Sequence, residues 1–264
     1  SYNASGGWYN YQDGSQGGAV PLSNRAENNE LTYVKRKEWR IGLEGSLLNR
    51  MITFDFNYFN QKTDGLITTG AATIYPSYFN ARGSFLPYTN YNVDKRSGVD
   101  FDVHFNKQFG QVETSLGFVG MYYTTKADKR DEVWSNDYLY RAGHSLSAVW
   151  GYECEGFFNS EEEIANHASQ TFGVVRPGDL KYKDQNGDGI IDTKDQVDLG
   201  KGTAPFFYGV NLTLKWKNFT FFGLASGQAG AIAFKNNSYY CPTGTSKYSV
   251  YARERWTPAT AAKI

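Results

Sequence analysis

The sequence predicts an all-β fold of antiparallel hairpins, and three observations carry that prediction. Apolar and polar residues alternate with a period of two in six segments, aromatic residues make up 17% of the chain, and very short connections take turns with very long ones. The 20 Tyr and 18 Phe suit pleated, half-wet surfaces, and 28 Gly with 7 Pro are too few for a low-complexity linker.

The elements follow in order. Trp39, Ile41, Leu43 and Leu47 form one apolar face against Arg40, Gly42, Glu44 and Ser46. After the break Leu48-Asn49-Arg50-Met51, the chain returns through Ile52, Phe54, Phe56 and Tyr58, with Thr53, Asp55 and Asn57 on the other face. A second hairpin runs through Val99, Phe101, Val103 and Phe105, turns at Lys107-Gln108-Phe109-Gly110, and returns through Thr114, Leu116, Phe118 and Tyr122. The third alternates Tyr208, Val210, Leu212, Leu214 and Trp216 with Gly209, Asn211, Thr213 and Lys215, turns near Asn218, and returns from Phe219 to Ala225. Between hairpins lie residues 61–92, 125–205 and the tail after 231. Loops beyond about 12–15 residues are uncommon in compact domains. Short turns at one end and long loops at the other are the layout of an antiparallel transmembrane β-barrel with short periplasmic turns and long extracellular loops. A soluble β-sandwich shows the same alternation with its apolar face turned inward, so the pattern alone leaves both architectures open.

Composition excludes other classes. Lys+Arg and Asp+Glu balance at 27 each, so no electrostatic footprint calls for nucleic acid. No apolar run approaches the roughly 18 residues of a spanning helix, and the mean hydropathy of −0.56 averages over strands whose two faces differ. Ser1-Tyr2-Asn3-Ala4 carries neither a basic nor an apolar leader region, and the expectation is that the chain lacks its own beginning. Cys154 and Cys241 are too few for a disulfide framework, whether they pair across loops or stay as thiols. Ser160-Glu161-Glu162-Glu163 has the form of a capping box and predicts a short surface helix through Ile164 and Ala165.

One segment carries chemistry. Residues 184–195 fit a twelve-residue EF-hand loop: Asp184, Asn186 and Asp188 at positions one, three and five, Gly189 at six, Asp192 at nine and Asp195 at twelve. A hard cation needs six or seven oxygens, and glycine relaxes most easily into the sharp turn at position six. Ile190 would add its backbone carbonyl, while Ile191 points to the interior. The ion expected is Ca²⁺, with Mg²⁺ as competitor because the last ligand is Asp rather than Glu, and its role is to staple a long loop. The plainer alternative is that Asn-Gly-Asp-Gly is only an acidic turn. No catalytic residue is expected: His104, His144 and His167 are scattered, and neither a zinc-binding His pair nor a nucleophile elbow is present. Aromatic clusters at Trp8–Tyr11, Tyr75–Tyr78, Tyr88–Tyr91 and Tyr239-Tyr240 suit stacking on sugars or gripping peptides, or else loop packing. No substrate-binding residue is assigned.

At this point the residues reach a family. Pro177-Gly178-Asp179-Leu180-Lys181-Tyr182-Lys183-Asp184-Gln185-Asn186-Gly187-Asp188-Gly189, followed by Asp192, Leu199-Gly200, Pro205 and Tyr208-Gly209, resembles a signature in the barrel of SusC/RagA-like TonB-linked outer-membrane transporters. Trp39–Glu44, Tyr58–Ile67, Gly151-Tyr152 with Gly156-Phe157-Phe158, and Arg253-Glu254-Arg255-Trp256-Thr257-Pro258 are similar to further family elements, and the resemblance spans residues 33–258. It implies a barrel of about 22 strands, an N-terminal plug, a TonB box and a SusD-like surface lipoprotein as lid, with oligosaccharides or peptides as cargo. Six strands cannot close such a barrel, so residues 1–264 read as part of one transporter barrel domain, with 125–205 a long extracellular loop region. The expected setting is the outer membrane of a Gram-negative bacterium, with membrane lipid and, through a part outside this chain, TonB as partners. The alternatives are a secreted, Ca²⁺-stapled β-sandwich that binds glycans and, least supported, a surface enzyme.

Overall fold

The computed structural model describes residues 8–10, 16–19, 25–70, 72–76, 86–237, 239–241, 244 and 247–259. In chain order the strands are β1 (Trp8–Asn10), β2 (Gln16–Ala19), β3 (Lys35–Leu47), β4 (Ile52–Thr68), β5 (Thr89–Phe109) and β6 (Val112–Lys129). An insert follows with β7 (Ala148–Tyr152), β8 (Cys154–Phe157), helix α1 (Glu161–Ala165), β9 (Ser169–Gln170), β10 (Leu180–Tyr182), β11 (Ile190–Ile191) and β12 (Gln196–Lys201). Finally come β13 (Phe206–Trp216) and β14 (Phe219–Ala229).

Six strands form one antiparallel sheet in the order β14-β13-β6-β5-β4-β3, so the three hairpins read from alternation are all present. β13 pairs directly with β6, and the insert leaves and returns at the same edge of that pair. Register turns the alternation into continuous rows. Ile41, Tyr58, Val99, Tyr122 and Phe206 lie side by side across five strands, as do Leu47, Ile52, Phe105, Leu116 and Leu212. Ring contacts bind the rows together on this apolar face: Trp39 to Tyr58 at 5.3 Å, Phe56 to Phe101 at 6.2 Å and Phe101 to Phe118 at 5.5 Å. The face stays bare, with Ile41 67%, Leu43 65% and Phe221 60% exposed. The secreted-sandwich reading needs a second sheet of similar size to cover it, and the other sheets of the described chain have two strands each.

Glycines on the sheet meet the side chain directly across the ladder. Gly45 lies under Phe54, Gly120 under Phe101, Gly227 under Tyr208 and Gly98 under Phe59, each so closely that an added Cβ would collide with the ring. The tight turns rely on left-handed backbone: Leu48, Asn49 and Arg50 have φ of 54, 55 and 66°, and Lys217 has φ of 53°. That geometry matches the right-handed twist of the flanking strands. Strands run past the alternating segments, β5 starting ten residues before Val99 at Thr89 and β6 reaching Lys129 inside the 125–205 region.

The insert, by contrast, has a small core. Phe158 and Ile191 are buried to 1% and 0% exposure, together with the carboxylate of Asp195 at 0%. β7 pairs with β12, β8 with β10, and β9 runs parallel to β11. Helix α1 begins where the capping residue predicts: the Glu163 backbone N–H donates to Ser160 Oγ at 3.2 Å. From far along the chain, Trp256 packs against Gly178 and donates through Nε1 to Asn159 Oδ1 at 3.2 Å, so two family-like elements of the sequence meet in space.

Candidate functional site

Two places concentrate functional groups: the acidic loop of the insert and the polar face of the sheet. In the loop, Gly187 and Gly189 take φ of 73 and 81°, the conformation that the turn requires of glycine. Asp184 accepts from the N–H groups of Gly187 and Gly189 at 2.7 and 2.8 Å, Asn186 Oδ1 from Asp188 N at 2.9 Å, and Asp188 Oδ1 from Ile190 N at 2.9 Å. Ile190 opens β11, and Ile191 is fully buried, as the loop spacing predicts. Asp192 caps the following turn by accepting from Lys194 N at 2.7 Å. Asp195 accepts from Gln185 N at 2.9 Å and Asp192 N at 2.8 Å, closing the loop end to end.

The loop is strongly negative. Its Asn186 and Ile190 N–H donors, with Lys194 nearby, hold the Asp188 carboxyl below the usual carboxylate range. Burial pushes the Tyr138 hydroxyl up, and the charges of Asp195, Asp184 and Asp188 push it the same way. Lys194 supplies a cation, its Nζ 3.6 Å from both Asp188 and Asp192. Among the described residues, no three His, Cys, Asp or Glu side chains are gathered as a ready-made metal cluster. The donors are nonetheless hard oxygens, and each carboxylate oxygen that accepts one backbone N–H keeps a further lone pair, which is the chemistry Ca²⁺ or Mg²⁺ takes.

The polar face of the sheet gathers carboxylates that the sequence scatters. Glu44, Asp55 and Asp102 are direct neighbours across β3, β4 and β5. Like charges in register repel, and the wall carries compensating donors: Asn57 Nδ2 reaches Asp55 at 2.5 Å and Asp100 at 3.1 Å, His104 Nε2 meets Asp102 at 2.7 Å, and Arg40 lies 3.8 Å from Asp100. A groove of about 830 Å³ is lined on this side by Asp55, Asn57, Asp100, Asp102 and Gln228. Nearer the long loops, Tyr123 stacks on Phe207 at 6.3 Å with Arg96 5.6 Å above it. Neither grouping was legible in the sequence, because each depends on register between strands far apart in the chain.

The remaining candidates resolve individually. His144 pairs with Asp198 at 2.8 Å and lies edge-on to Trp150, while His167 packs against Phe158 with Glu155 at 3.6 Å. Cys154 and Cys241 are exposed, free thiols. Of the aromatic clusters, Tyr88 lies under Arg25, Tyr91 under Lys129, and Tyr239 and Tyr240 pack with Tyr251. The side chains of Trp8 and Tyr9, together with Tyr11 and Tyr78, fall outside the described residues.

Comparison with known proteins gives the chain its relatives. No family model matches it. It is 29% identical over 254 residues to TonB-dependent receptor P26 of Formosa agariphila, covering 89% of this chain and 24% of that protein. It is 23% identical over 253 residues to TonB-dependent receptor P3 of the same organism, covering 83% and 24%. The chain therefore spans about a quarter of the length of these curated relatives. Among solved structures, the RagAB peptide importer in its closed-closed state matches with TM-score 0.63 at 16% identity, covering 98% of this chain and 28% of that one. Its open-open state matches with TM-score 0.65 at 15% identity, covering 93% and 26%. The expectation of a chain that is not an enzyme now rests on these receptors and importers rather than on any missing group. The sequence relatives are named TonB-dependent receptors and the fold is shared with the RagAB importer chain, and both agree with the SusC/RagA-like resemblance of the signature around Pro177–Gly189.

Proposed function

We propose that this chain forms part of the wall of an outer-membrane β-barrel that imports oligosaccharides or peptides in a TonB-dependent manner, with a SusD-like lipoprotein closing over it. The observation that carries the reading is the apolar face. From the Phe206 row to the Trp216 row, β13 is 11 residues long. That is about 34 Å along the strand, or about 25 Å of height at a tilt near 45°, the height of a lipid-facing band. Trp39 stands at one border of the band and Trp216 with Phe219 at the other, rings that suit the two membrane interfaces. No helix is long and apolar enough to cross a membrane, so crossing would fall to the strands.

In this reading the short turns face the periplasm, the insert faces outward, and the carboxylate and aromatic groups of the polar face line the lumen. Cargo passes along Asp55, Asn57, Asp100 and the Tyr123–Phe207 pair, and polar, hydrogen-bonding solutes such as sugars and peptides suit that wall. Fractionation of Gram-negative cells expressing the full-length parent tests the reading. Sedimentation with the outer membrane after high-salt and carbonate washes is expected, and release into the soluble fraction would overturn it.

The acidic loop enters the same proposal as a Ca²⁺ staple held by Asp184, Asn186, Asp188, Ile190, Asp192 and Asp195, with Lys194 displaced when the ion binds. Calorimetric titration of the full-length protein should show Ca²⁺ binding that weakens in Asp188→Ala; equal affinity in the two proteins would remove the metal assignment.

A further inference from the structure

The apolar face ends, at the long-loop side, in a row that the sequence hides. Register places Lys37 beside Lys62, Lys62 beside Lys95, and Lys95 beside Lys126, four lysines in line across β3, β4, β5 and β6. All four share the face of Ile41, Tyr58, Val99 and Tyr122, and only the row of Trp39, Asn60, Ser97 and Thr124 separates them from the apolar band. At about 4.8 Å between strands, the row spans about 14 Å. One row further out, Lys35 and Lys129 flank Asp64 and Val93, and Lys129 Nζ lies 3.6 Å from the centre of the Tyr91 ring.

Like charges facing each other across a ladder are destabilising unless something neutralises them. The protein provides two partners: Asp64 lies 3.2 Å from Lys62, and Asp128 lies 2.7 Å from Lys95. Among the described residues, Lys37 and Lys126, at the two ends of the row, have no carboxylate within 4 Å. Six lysines against two aspartates leave this border of the band positive. On the far border of the same face, among the described residues, Lys107 follows the Leu47 row and Lys217 lies over the Trp216 ring at 5.0 Å, and the two are not in one row across the strands.

We propose that Lys37, Lys62, Lys95 and Lys126 form a binding row for the phosphate groups of lipid headgroups bordering the outward leaflet. The inference rests on the membrane-spanning reading and adds a ligand to it. Position favours a lipid as the source, because a headgroup whose acyl chains lie on Ile41, Leu43 and Phe56 carries its phosphates to the lysine level. The width of the row suits a headgroup with more than one phosphate, each taking charge-assisted hydrogen bonds from ammonium groups.

The test uses the full-length transporter in detergent, titrated with lipid A bearing two phosphates, with the same lipid after dephosphorylation, and with inorganic phosphate. Binding of the phosphorylated lipid should weaken about fivefold for each Lys→Gln change in the row, a step that corresponds to about 1 kcal/mol per basic residue at a membrane surface. Lys107→Gln, at the other border, should leave it unchanged. Added salt should weaken wild-type binding, and the dephosphorylated lipid should not distinguish wild type from variants. Equal affinity of wild type and the four-lysine variant overturns the proposal. Displacement of the lipid by equimolar inorganic phosphate also overturns it and assigns the row to free phosphate. If the four-lysine variant does not fold, Lys37→Gln and Lys126→Gln, which break no ion pair, carry the same comparison. Failure of the wild type to remain in the outer-membrane fraction refutes the membrane reading itself; retention with unchanged lipid affinity in the variants refutes only the headgroup assignment.

Discussion

The sheet and the insert between β6 and β13 come from one chain, yet each meets the cost of ordering backbone differently. In the six strands, Phe59, Val93 and Ala127 are the buried apolar residues, and strands of up to 21 residues are held by continuous ladders with apolar side chains left bare. The insert has strands of two to six residues, turns inward, and buries Phe158, Ile191 and Asp195 almost completely. A bare apolar face is stable where lipid covers it, whereas an outward-facing loop must bring its own core. Under the proposed membrane reading, the solvent each region meets accounts for the difference.

That contrast can be broken from either side. Phe158→Ala should have the largest effect, about 3–5 kcal/mol from the lost burial and the cavity left behind. Hydrogen exchange on the full-length protein should speed up in the insert and stay unchanged in β4 to β6; faster exchange in both would mean the two regions share one core. Phe54→Arg places a charge in the middle of the apolar band and should cost about 2–4 kcal/mol if lipid covers that face. Unfolding from bilayers in urea measures it, and a change near zero would argue against a lipid-facing strand. Gly120→Ala should cost about 1–3 kcal/mol, because the Phe101 ring must leave its place over the glycine; an undisturbed melting temperature would show that the ring has room to move.

The smallest expected effect is that of pH on the insert. The Lys181 ammonium at 2.7 Å, with the Asn159 N–H, holds the Glu163 carboxyl low, and Glu163 in turn raises Lys181. The Glu163 contribution is fully present above the ordinary carboxylate pKa of about 4.3 and is lost as pH falls through the depressed folded value. The Lys181 contribution is fully present below about 10.4 and is lost as pH rises through the raised folded value. Both groups are exposed, so screening keeps the effect small. Exchange protection around α1 and β10 should be flat across neutral pH and fall at the two extremes; a transition within the neutral range would show that this ion pair does not set the pH response.

Much of the sheet was legible because alternation is a local pattern. Trp39 to Tyr58 announces a hairpin without reference to anything else in the chain. The ends of the strands were not legible: beyond Val99 and Tyr122, Thr89–Gly98 and Tyr123–Lys129 continue the ladder without a regular apolar–polar alternation, and the burial of Val93 and Ala127 there depends on the fold rather than on a local pattern. The acidic loop was visible as a spacing of oxygens, but the burial of Asp195 and the position of Lys194 between two carboxylates depend on the fold of the whole insert. The lysine row and the Glu44, Asp55 and Asp102 neighbours were hidden for a further reason, since a row perpendicular to the strands has no signature along the sequence.

The glycines beneath aromatic rings bear on how such a sheet finds its alignment. A slip by one residue exchanges the two faces and is excluded by hydrophobicity alone. A slip by two keeps every apolar residue on the apolar face, and hydrophobicity does not detect it. In that shifted pairing Phe54 would face Leu43 or Leu47 instead of Gly45, and Phe101 would face Phe118 or Tyr122 instead of Gly120. In four of the five strand pairs of the sheet the ring and its vacancy thus act as a two-part code, rejecting the even-numbered errors to which hydrophobicity is blind.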